Sequence, residues 1–206
     1  MKETIKDLFK GCITVPNFLS LLRIFMVPYF AYLFLNQKYI PAVIVLALSG
    51  LTDFLDGKIA RKFNQISNLG KLLDPLADKL TQITIAIIFY ITFKNSSSSL
   101  VKSFSFVFLV FLIKEAVMVL GSVVMIITGL RPGAAEMPGK VATFAFYLIM
   151  ISIIAFGPDI GVMGKLFTYP DWAMVALICL SACLTIVAFC SYIPGIIKQI
   201  KEKKVK

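Results

Sequence analysis

The stretch "LTDFLDGKIARKFNQISNLGKLLDPLADKL", residues 51–80, carries four aspartates between two long apolar runs. Asp53 and Asp56 stand at the end of the first run, and Asp74 and Asp78 stand at the start of the second. On insertion scales, a charge at the middle of a bilayer costs about 2.5–3.5 kcal/mol, so charges in membrane segments commonly serve a function. The fold and the function both depend on which positively charged groups bind these carboxylates.

The composition is typical of a protein that crosses a membrane several times. The 206 residues are 59% hydrophobic and 16% charged, and the mean hydropathy is +0.89, which is far from the average of soluble domains. Apolar windows of about 20 residues predict transmembrane helices. The sequence therefore predicts an all-α membrane protein with six transmembrane helices, at about 17–36, 40–62, 69–93, 103–129, 140–157 and 172–194. The short connections predict one compact domain over residues 17–197.

The two ends of the chain have their own patterns. Residues 1–16, "MKETIKDLFKGCITVP", set apolar residues against lysines at helical spacing, which predicts an interfacial amphipathic helix. A signal peptide is disfavoured because no short apolar stretch ends in a small-residue cleavage site. Residues 198–206 are predicted to form a basic cytoplasmic tail.

Lysine and arginine mark one side of the predicted membrane domain. The span ends on one predicted side of the membrane carry 14 lysines and arginines, and those on the other side carry 4. The positive-inside rule therefore places both termini in the cytoplasm. The net charge of +10 then reflects this bias and attraction to anionic headgroups. Nucleic-acid binding is disfavoured because no soluble domain carries the charge.

The residue types limit any metal site to oxygen ligands. The chain has no histidine, and its four cysteines form no C-x-x-C pair. Oxygen ligands favour Mg²⁺, Mn²⁺ or Ca²⁺.

Helical spacing places each aspartate pair on one face of its helix. Residues three or four apart are neighbours on a helix surface, and a rise of about 1.5 Å per residue puts both pairs at about the same depth. Antiparallel packing of the second and third spans would bring Asp53, Asp56, Asp74 and Asp78 together. Two divalent ions would balance their charge, and paired ions are a known device for phosphoryl transfer.

Residues beside the first pair are suited to an anion. Gly57 and Ala60 leave space for a ligand to touch the backbone, and Arg61 offers a planar fork for phosphate oxygens. Lysines ring the mouth of this region: Lys58, Lys62 and Lys71.

Two simpler interpretations compete with this one. Asp56-Gly57 is a strong turn signal, but a turn there would leave a span of about fifteen residues, which is short for crossing. Intramembrane acids also line cation or proton pathways, yet here they are confined to two spans at one depth. A cation transporter and a noncatalytic assembly protein remain alternatives to an enzyme.

The spacing of eight residues resembles the signature of the CDP-alcohol phosphotransferases. They are Asp53, Asp56, Gly57, Ala60, Arg61, Gly70, Asp74 and Asp78. The resemblance implies an enzyme with six helices around a cytoplasm-facing cavity, commonly a homodimer, that transfers a group from a CDP-linked donor to an alcohol and releases CMP. Together with the absence of organelle-targeting features, it favours a bacterial plasma membrane.

The resemblance also implies residue roles. Two Mg²⁺ or Mn²⁺ ions would be held by Asp53, Asp56, Asp74 and Asp78, and Asp78 would be the catalytic base on the acceptor hydroxyl. The cytidine diphosphate portion of the donor would be bound by Asp56, Gly57, Ala60, Arg61 and Gly70.

The acceptor is predicted from weaker similarities. The segments "VPNFLSLLRIFMVPYF" and "GKLLDPLADKL" resemble the branch that makes phosphatidylglycerophosphate from CDP-diacylglycerol and glycerol 3-phosphate. Two departures are Lys114-Glu115 in place of an arginine-glutamate pair and the imperfect loop "RPGAAEMPGKVAT". A related branch, which makes cardiolipin from CDP-diacylglycerol and phosphatidylglycerol, is the alternative.

An anionic acceptor needs cations near the site. The candidates are Lys79, Lys114, Arg131 and Lys140. Arg131 and Lys140 also satisfy the positive-inside rule by themselves. An ion pair between Lys114 and Glu115 is disfavoured because adjacent residues do not face each other on a helix.

Two polar residues of the first span have simple expected roles. Asn17 is expected to cap the helix, and Arg23 is expected to snorkel to the headgroups. The family resemblance offers the alternative that either residue lines the cavity.

Overall fold

The computed structural model describes residues 14–63, 67, 69–128 and 137–204, except the side chains at positions 54, 57, 61, 71, 72, 122, 123, 126, 127, 198, 200 and 202–204. Every regular element in this part of the chain is a helix. By length and composition, six stretches of it can cross a membrane: Val15–Leu35, Tyr39–Ala60, Leu73–Lys94, Ser99–Gly121, Met137–Phe156 and Asp171–Ile197. The predicted all-α architecture with six transmembrane helices is confirmed.

The helices follow one another with short connections. In chain order they are α1 (Val15–Leu35), α2 (Tyr39–Lys62), α3 (Gly70–Lys94), α4 (Ser99–Phe104), α5 (Val107–Ile127), α6 (Met137–Phe156) and α7 (Asp171–Lys204). Most of the predicted interfacial helix over residues 1–16 lies outside the described residues. The last helix runs on to Lys204, so the predicted basic tail starts within a helix.

The ends of α1 are defined by local hydrogen bonds. The side chain of Thr14 accepts the backbone N–H of Asn17 at 3.3 Å, so Thr14 is the cap and the expected capping role of Asn17 is wrong. At the other end, Gln37 has a φ of 58°, and the N–H of Lys38 bonds to the carbonyl of Leu33 at 2.9 Å. This left-handed ending reverses the chain within a few residues, and α2 packs along α1.

The chain divides into two compact units, Met1–Ile88 and Phe89–Lys206. In the first unit, α1 and α2 bury an apolar core that includes Phe30, Phe34 and Leu46. The rings of Phe34 and Tyr39 meet edge to face, with centroids 5.1 Å apart. This core joins the two helices on the side of the α1–α2 turn.

The second unit is built around aromatic rings. Phe89 and Phe93, from the last turns of α3, lie with Phe108 of α5 at centroid distances between 5.4 and 5.6 Å. Phe111 continues the cluster to Phe146 of α6 at 5.0 Å. The long helix α7 packs against α4, α5 and α6, so this unit has a largely apolar interior.

Serines connect two loops of the second unit. Ser96 and Ser97 donate hydrogen bonds to Asp159, and Ser98 donates to Asp171 at the start of α7. The loop after α3 therefore lies beside the loop after α6. In a six-span protein these two loops belong to the same side of the membrane, as the sequence predicts.

The fourth predicted span is interrupted near its start. The short helix α4 ends at Phe104, and α5 begins at Val107. The hydroxyl of Ser105 bonds to the carbonyl of Lys102 at 2.8 Å, which is the local competition that serine side chains offer to a regular helix.

Candidate active site

One face of α1 is polar and fully buried. Asn17, Ser20 and Arg23 are 3%, 0% and 2% exposed, and their spacing of three residues places them side by side. Buried polar groups need partners because their loss of water is costly. All three find partners in or beside the residue 51–80 stretch, and together they are called the polar face of α1 below.

Arg23 joins the first pair of aspartates. Its Nη1 contacts Oδ1 of Asp53, and its Nη2 contacts Oδ2 of Asp56. The Asp56 side chain is 4% exposed, whereas the Asp53 side chain is 57% exposed. Because one guanidinium reaches both, the two carboxylates share a face of α2. The expectation that Arg23 snorkels to the headgroups is wrong, since its counter-charges lie beside it.

The second pair of aspartates is engaged by hydrogen-bond donors. The hydroxyl of Ser20 contacts Oδ1 of Asp74 and also lies 3.0 Å from the carbonyl oxygen of Pro16. One turn further along α3, Nε2 of Gln82 donates to Oδ2 of Asp78 at 3.0 Å. Through Arg23 and Ser20, the polar face of α1 contacts aspartates of both α2 and α3.

The start of α3 is fitted closely against α1. The hydroxyl of Ser67 donates to Oδ1 of Asn17 at 2.9 Å and accepts the N–H of Gly70 at 2.9 Å. A Cβ added at Gly70 would lie 2.5 Å from Oδ1 of Asn17 and 3.1 Å from Oγ of Ser67. Glycine at this position allows the close approach without a shift of these two side chains. Contact between Gly70 and a nucleotide remains a prediction.

The four aspartates have the donor chemistry of a hard divalent cation. Carboxylate oxygens suit Mg²⁺ and Mn²⁺, and the Asp53–Asp56 pair already holds one cation, the guanidinium. Among the described residues, no three acidic, cysteine or histidine side chains converge closely enough to share an ion. The four residues fit the predicted ions by chemistry, and their joint binding of two ions remains a prediction.

Part of the predicted nucleotide site is described. Ala60 is half-buried in the last turns of α2, and Lys58 and Lys62 are exposed. The ammonium of Lys62 lies 5.8 Å from the centre of the Phe63 ring. The side chains of Arg61 and Lys71, and any contact at Gly57, lie outside the described residues.

The candidate acceptor residues have different surroundings. Lys79 is half-buried in α3, Lys140 is exposed near the start of α6, and Arg131 lies outside the described residues. The ammonium of Lys114 forms an ion pair with Oε1 of Glu115, so the expectation that these neighbours do not pair is wrong. The flexible lysine stem lets the ammonium reach the adjacent carboxylate, and an unpaired charge in a membrane span is costly.

Sequence reasoning missed three polar partners of the site: Ser20, Ser67 and Gln82. A signal for Ser20 was present, because "NFLSLLR" repeats a polar residue at every third position. Such a pattern inside an apolar span indicates a buried polar face. A signal for Gln82 was also present, because it follows Asp78 by four residues in one helix. The bond between Ser67 and Asn17 had no such signal, because it joins two distant parts of the chain.

Comparisons with known proteins cover most of the chain. A family model described as CDP-alcohol phosphatidyltransferase matches residues 13–187. A cardiolipin synthase (CMP-forming) of Streptomyces coelicolor is 37% identical over 150 residues, 68% of this chain and 66% of that protein. A CDP-diacylglycerol–glycerol-3-phosphate 3-phosphatidyltransferase of Aquifex aeolicus is 47% identical over 66 residues, 32% of this chain and 37% of that protein.

A human protein gives a third comparison. The cardiolipin synthase (CMP-forming) of Homo sapiens is 49% identical over 75 residues, 36% of this chain and 25% of that protein. The matches to these three curated relatives span between 25% and 66% of the relatives' own length.

Proposed function

The chain belongs to the CDP-alcohol phosphatidyltransferase family, and we propose that it transfers the phosphatidyl group of CDP-diacylglycerol to an alcohol and releases CMP. The observation that supports this most directly is the polar face of α1. It engages Asp53 and Asp56 of α2 through Arg23, and Asp74 of α3 through Ser20. Three of the four aspartates of the family signature thus contact α1.

The proposed reaction is a direct displacement at the phosphatidyl phosphorus. The acceptor hydroxyl oxygen forms the new P–O bond, its proton passes to the carboxylate of Asp78, and the bond to the oxygen of CMP breaks with its electron pair going to CMP. Asp53, Asp56, Asp74 and Asp78 would hold the divalent cations. Such cations supply stabilisation of charge on the diphosphate and on the departing nucleotide.

Gln82 has a supporting role in this scheme. Its amide donates to Oδ2 of Asp78 at 3.0 Å, which fixes the orientation of the carboxylate within α3. A base whose position is fixed is more effective than a mobile one, since proton transfer requires hydrogen-bond distance.

The donor nucleotide is proposed to lie along the end of α2. Gly57 and Ala60 would leave room for the cytidine diphosphate, and Arg61 would contact its phosphate oxygens. Both termini and the site are proposed to face the cytoplasm of a bacterial plasma membrane, as the lysine distribution favours. A homodimer is proposed from the family resemblance.

The acceptor is proposed to carry a glycerol joined to a phosphate. Glycerol 3-phosphate is the acceptor favoured by the sequence motifs, with Lys79, Lys114, Arg131 and Lys140 as candidate contacts. Phosphatidylglycerol is the second candidate, because the match to the Streptomyces coelicolor cardiolipin synthase covers 68% of the chain. Both acceptors present a primary hydroxyl and a phosphate anion.

The test is CMP release by the purified protein. The protein in nanodiscs is mixed with CDP-diacylglycerol, Mg²⁺ or Mn²⁺, and one acceptor at a time: glycerol 3-phosphate, phosphatidylglycerol or serine. Turnover with glycerol 3-phosphate supports the first candidate, and turnover only with phosphatidylglycerol supports the second. If no acceptor yields CMP while the protein is folded, the proposed function is wrong.

The stereochemical course tests the displacement itself. A donor with a chiral phosphorus is expected to give an inverted product, because one in-line attack inverts the centre. Retention, or a phosphatidylated enzyme isolated by mass spectrometry, would contradict the direct displacement.

A further inference from the structure

Arg23 is an unusual residue for the middle of a membrane span. It is 2% exposed, and its two terminal nitrogens both contact carboxylates of α2. Its Nε is buried and has no hydrogen-bond partner among the described residues. A buried arginine with an unsatisfied nitrogen is costly, so the contacts with Asp53 and Asp56 must offset that cost.

Two carboxylates lie beside one guanidinium at this point. Asp53 and Asp56 together carry two negative charges, and Arg23 supplies one positive charge. The guanidinium suits this place better than an ammonium because its planar fork can reach two carboxylates at once. Without Arg23, two carboxylates one helical turn apart would repel each other.

We infer that Arg23 is the built-in counter-ion of the Asp53–Asp56 pair, which holds both carboxylates in place when no divalent cation is bound. The inference rests on the proposed function, because it assumes that this pair also binds divalent cations. Arg23 is therefore a positioning residue. It contacts the ligands of the ion and takes no part in the chemical step.

This role has a consequence that an ordinary structural ion pair lacks. Arg23 and a divalent cation are attracted by the same two carboxylates, so the guanidinium lowers the affinity of the site for the ion. Removing the positive charge destabilises the ion-free protein more than the ion-bound protein. By linkage, the variant must then bind the ion more tightly.

The experiment compares Arg23→Gln with the unaltered protein in nanodiscs. Thermal unfolding is measured in EDTA and in saturating Mn²⁺, and Mn²⁺ binding is measured by electron paramagnetic resonance. We expect Arg23→Gln to widen the difference in melting temperature between the two conditions. We expect its Mn²⁺ affinity to rise at least about tenfold, which corresponds to about 1.4 kcal/mol. Arg23→Lys keeps the charge but loses the fork that reaches both carboxylates, so it should also raise the Mn²⁺ affinity and widen the difference in melting temperature, each by less than Arg23→Gln.

Val27→Ala is the matched control. Val27 lies one turn further along α1 and is 8% exposed, and its aliphatic side chain cannot pair with a carboxylate. The variant should lower the melting temperature equally in EDTA and in Mn²⁺. If Arg23→Gln behaves like Val27→Ala, or binds Mn²⁺ more weakly than the unaltered protein, the inference is overturned. If Arg23→Gln does not fold in either condition, Arg23→Lys decides, because an unchanged or weakened Mn²⁺ affinity there also overturns it.

The same measurements separate this inference from the proposed function. Unaltered protein that releases CMP and binds Mn²⁺, together with an Arg23→Gln variant of unchanged affinity, contradicts only the role of Arg23. Unaltered protein that neither binds Mn²⁺ nor releases CMP contradicts the proposed function and, with it, the inference.

Discussion

The two units of the chain bury different kinds of side chain. In the first unit, the polar face of α1 and Asp56 are buried together. In the second unit, the interior is dominated by phenyl rings such as Phe108 and Phe146, and the buried acid among its described residues, Glu115, is paired with Lys114. Hydrogen bonds and ion pairs, as in the first unit, are directional and need particular partners, whereas ring contacts tolerate small shifts.

This difference indicates a division of roles. Polar and charged groups in membrane segments are costly, so they commonly mark functional sites. Close-packed rings stabilise a unit by burial and place few demands on chemistry. Substitutions in the polar first unit should therefore alter activity first, and substitutions in the aromatic second unit should alter stability first.

The largest expected effect lies in the first unit, at Asp78. Asp78→Asn should lower the rate of CMP release about 10²–10⁴-fold, because a general base contributes by this amount. Melting temperature should change little, since the asparagine oxygen can still accept from Gln82. The measurement is steady-state CMP release with the best acceptor.

An acid of the second unit provides the control for Asp78. Asp159 accepts from serines of a neighbouring loop, so Asp159→Asn should keep nearly full activity. Full activity of Asp78→Asn would contradict the assignment of the base.

The aromatic interior of the second unit is tested by Phe108→Ala. Phe108 is 0% exposed and contacts three other rings. Loss of a buried phenylalanine costs about 3–5 kcal/mol of unfolding free energy, which should appear as a large fall in melting temperature. The rate of CMP release per folded molecule, measured below the melting temperature, should stay within about twofold if activity depends on the first unit, since a twofold change is only about 0.4 kcal/mol.

The matched control is Phe144→Ala. Phe144 is 69% exposed, so the substitution should leave the melting temperature nearly unchanged. An equal fall in melting temperature in both variants would contradict a special contribution of the buried rings to stability.

A pair of glycines tests the fit between α1 and α3. Gly70→Ala would place a methyl group 2.5 Å from Oδ1 of Asn17, and overpacking of this kind costs about 1–3 kcal/mol. The shift should also disturb Asp74 one turn later, so both melting temperature and CMP release should fall.

Gly50→Ala is the control within the same unit. A Cβ at Gly50, in α2, would meet no described atom within 4 Å, and alanine in a helix interior is favoured over glycine by about 1 kcal/mol. This variant should be as stable as the unaltered protein or more stable. Equal behaviour of the two variants would contradict the close approach at Gly70.

The smallest effect is expected at the loop of the second unit. Ser98 caps α4 by accepting the N–H of Val101 at 3.4 Å, and it donates to Asp171. Ser98→Ala should cost about 1 kcal/mol of unfolding free energy, as the loss of an N-cap commonly does. Activity should be unchanged. Ser103→Ala, at an exposed position, should cost less, and the reverse order would contradict the capping role.

The spans could be predicted from the sequence because hydropathy and helix length act along the chain. The shared face of Asp53 and Asp56 also followed from helical spacing, since both residues belong to one helix. The α4–α5 break did not follow, because "SFSFVFLV" is mostly apolar and the turn is formed by local hydrogen bonds around Ser105.

The partners of single polar residues could not be predicted in the same way. The pairing of Arg23 with Asp53 and Asp56 depends on which helix packs beside α1, and that is a property of the folded protein. Even between near neighbours the partner was not predictable, since the helix is capped by Thr14 and not by Asn17. The Lys114–Glu115 pair shows that a long flexible side chain can contact an adjacent residue that helical spacing places on another face.

The short turn between α1 and α2 bears on how the chain enters a bilayer. Since α1 is synthesised first, Arg23 reaches the membrane before its acidic partners, and a single helix bearing an unpaired arginine partitions poorly into lipid. The turn at Asn36 and Gln37 brings α2 alongside as soon as it emerges. The favoured unit of insertion is then the helical hairpin, which enters with its arginine already neutralised, and a glycosylation-mapping assay should find α1 alone inserted less efficiently than the hairpin.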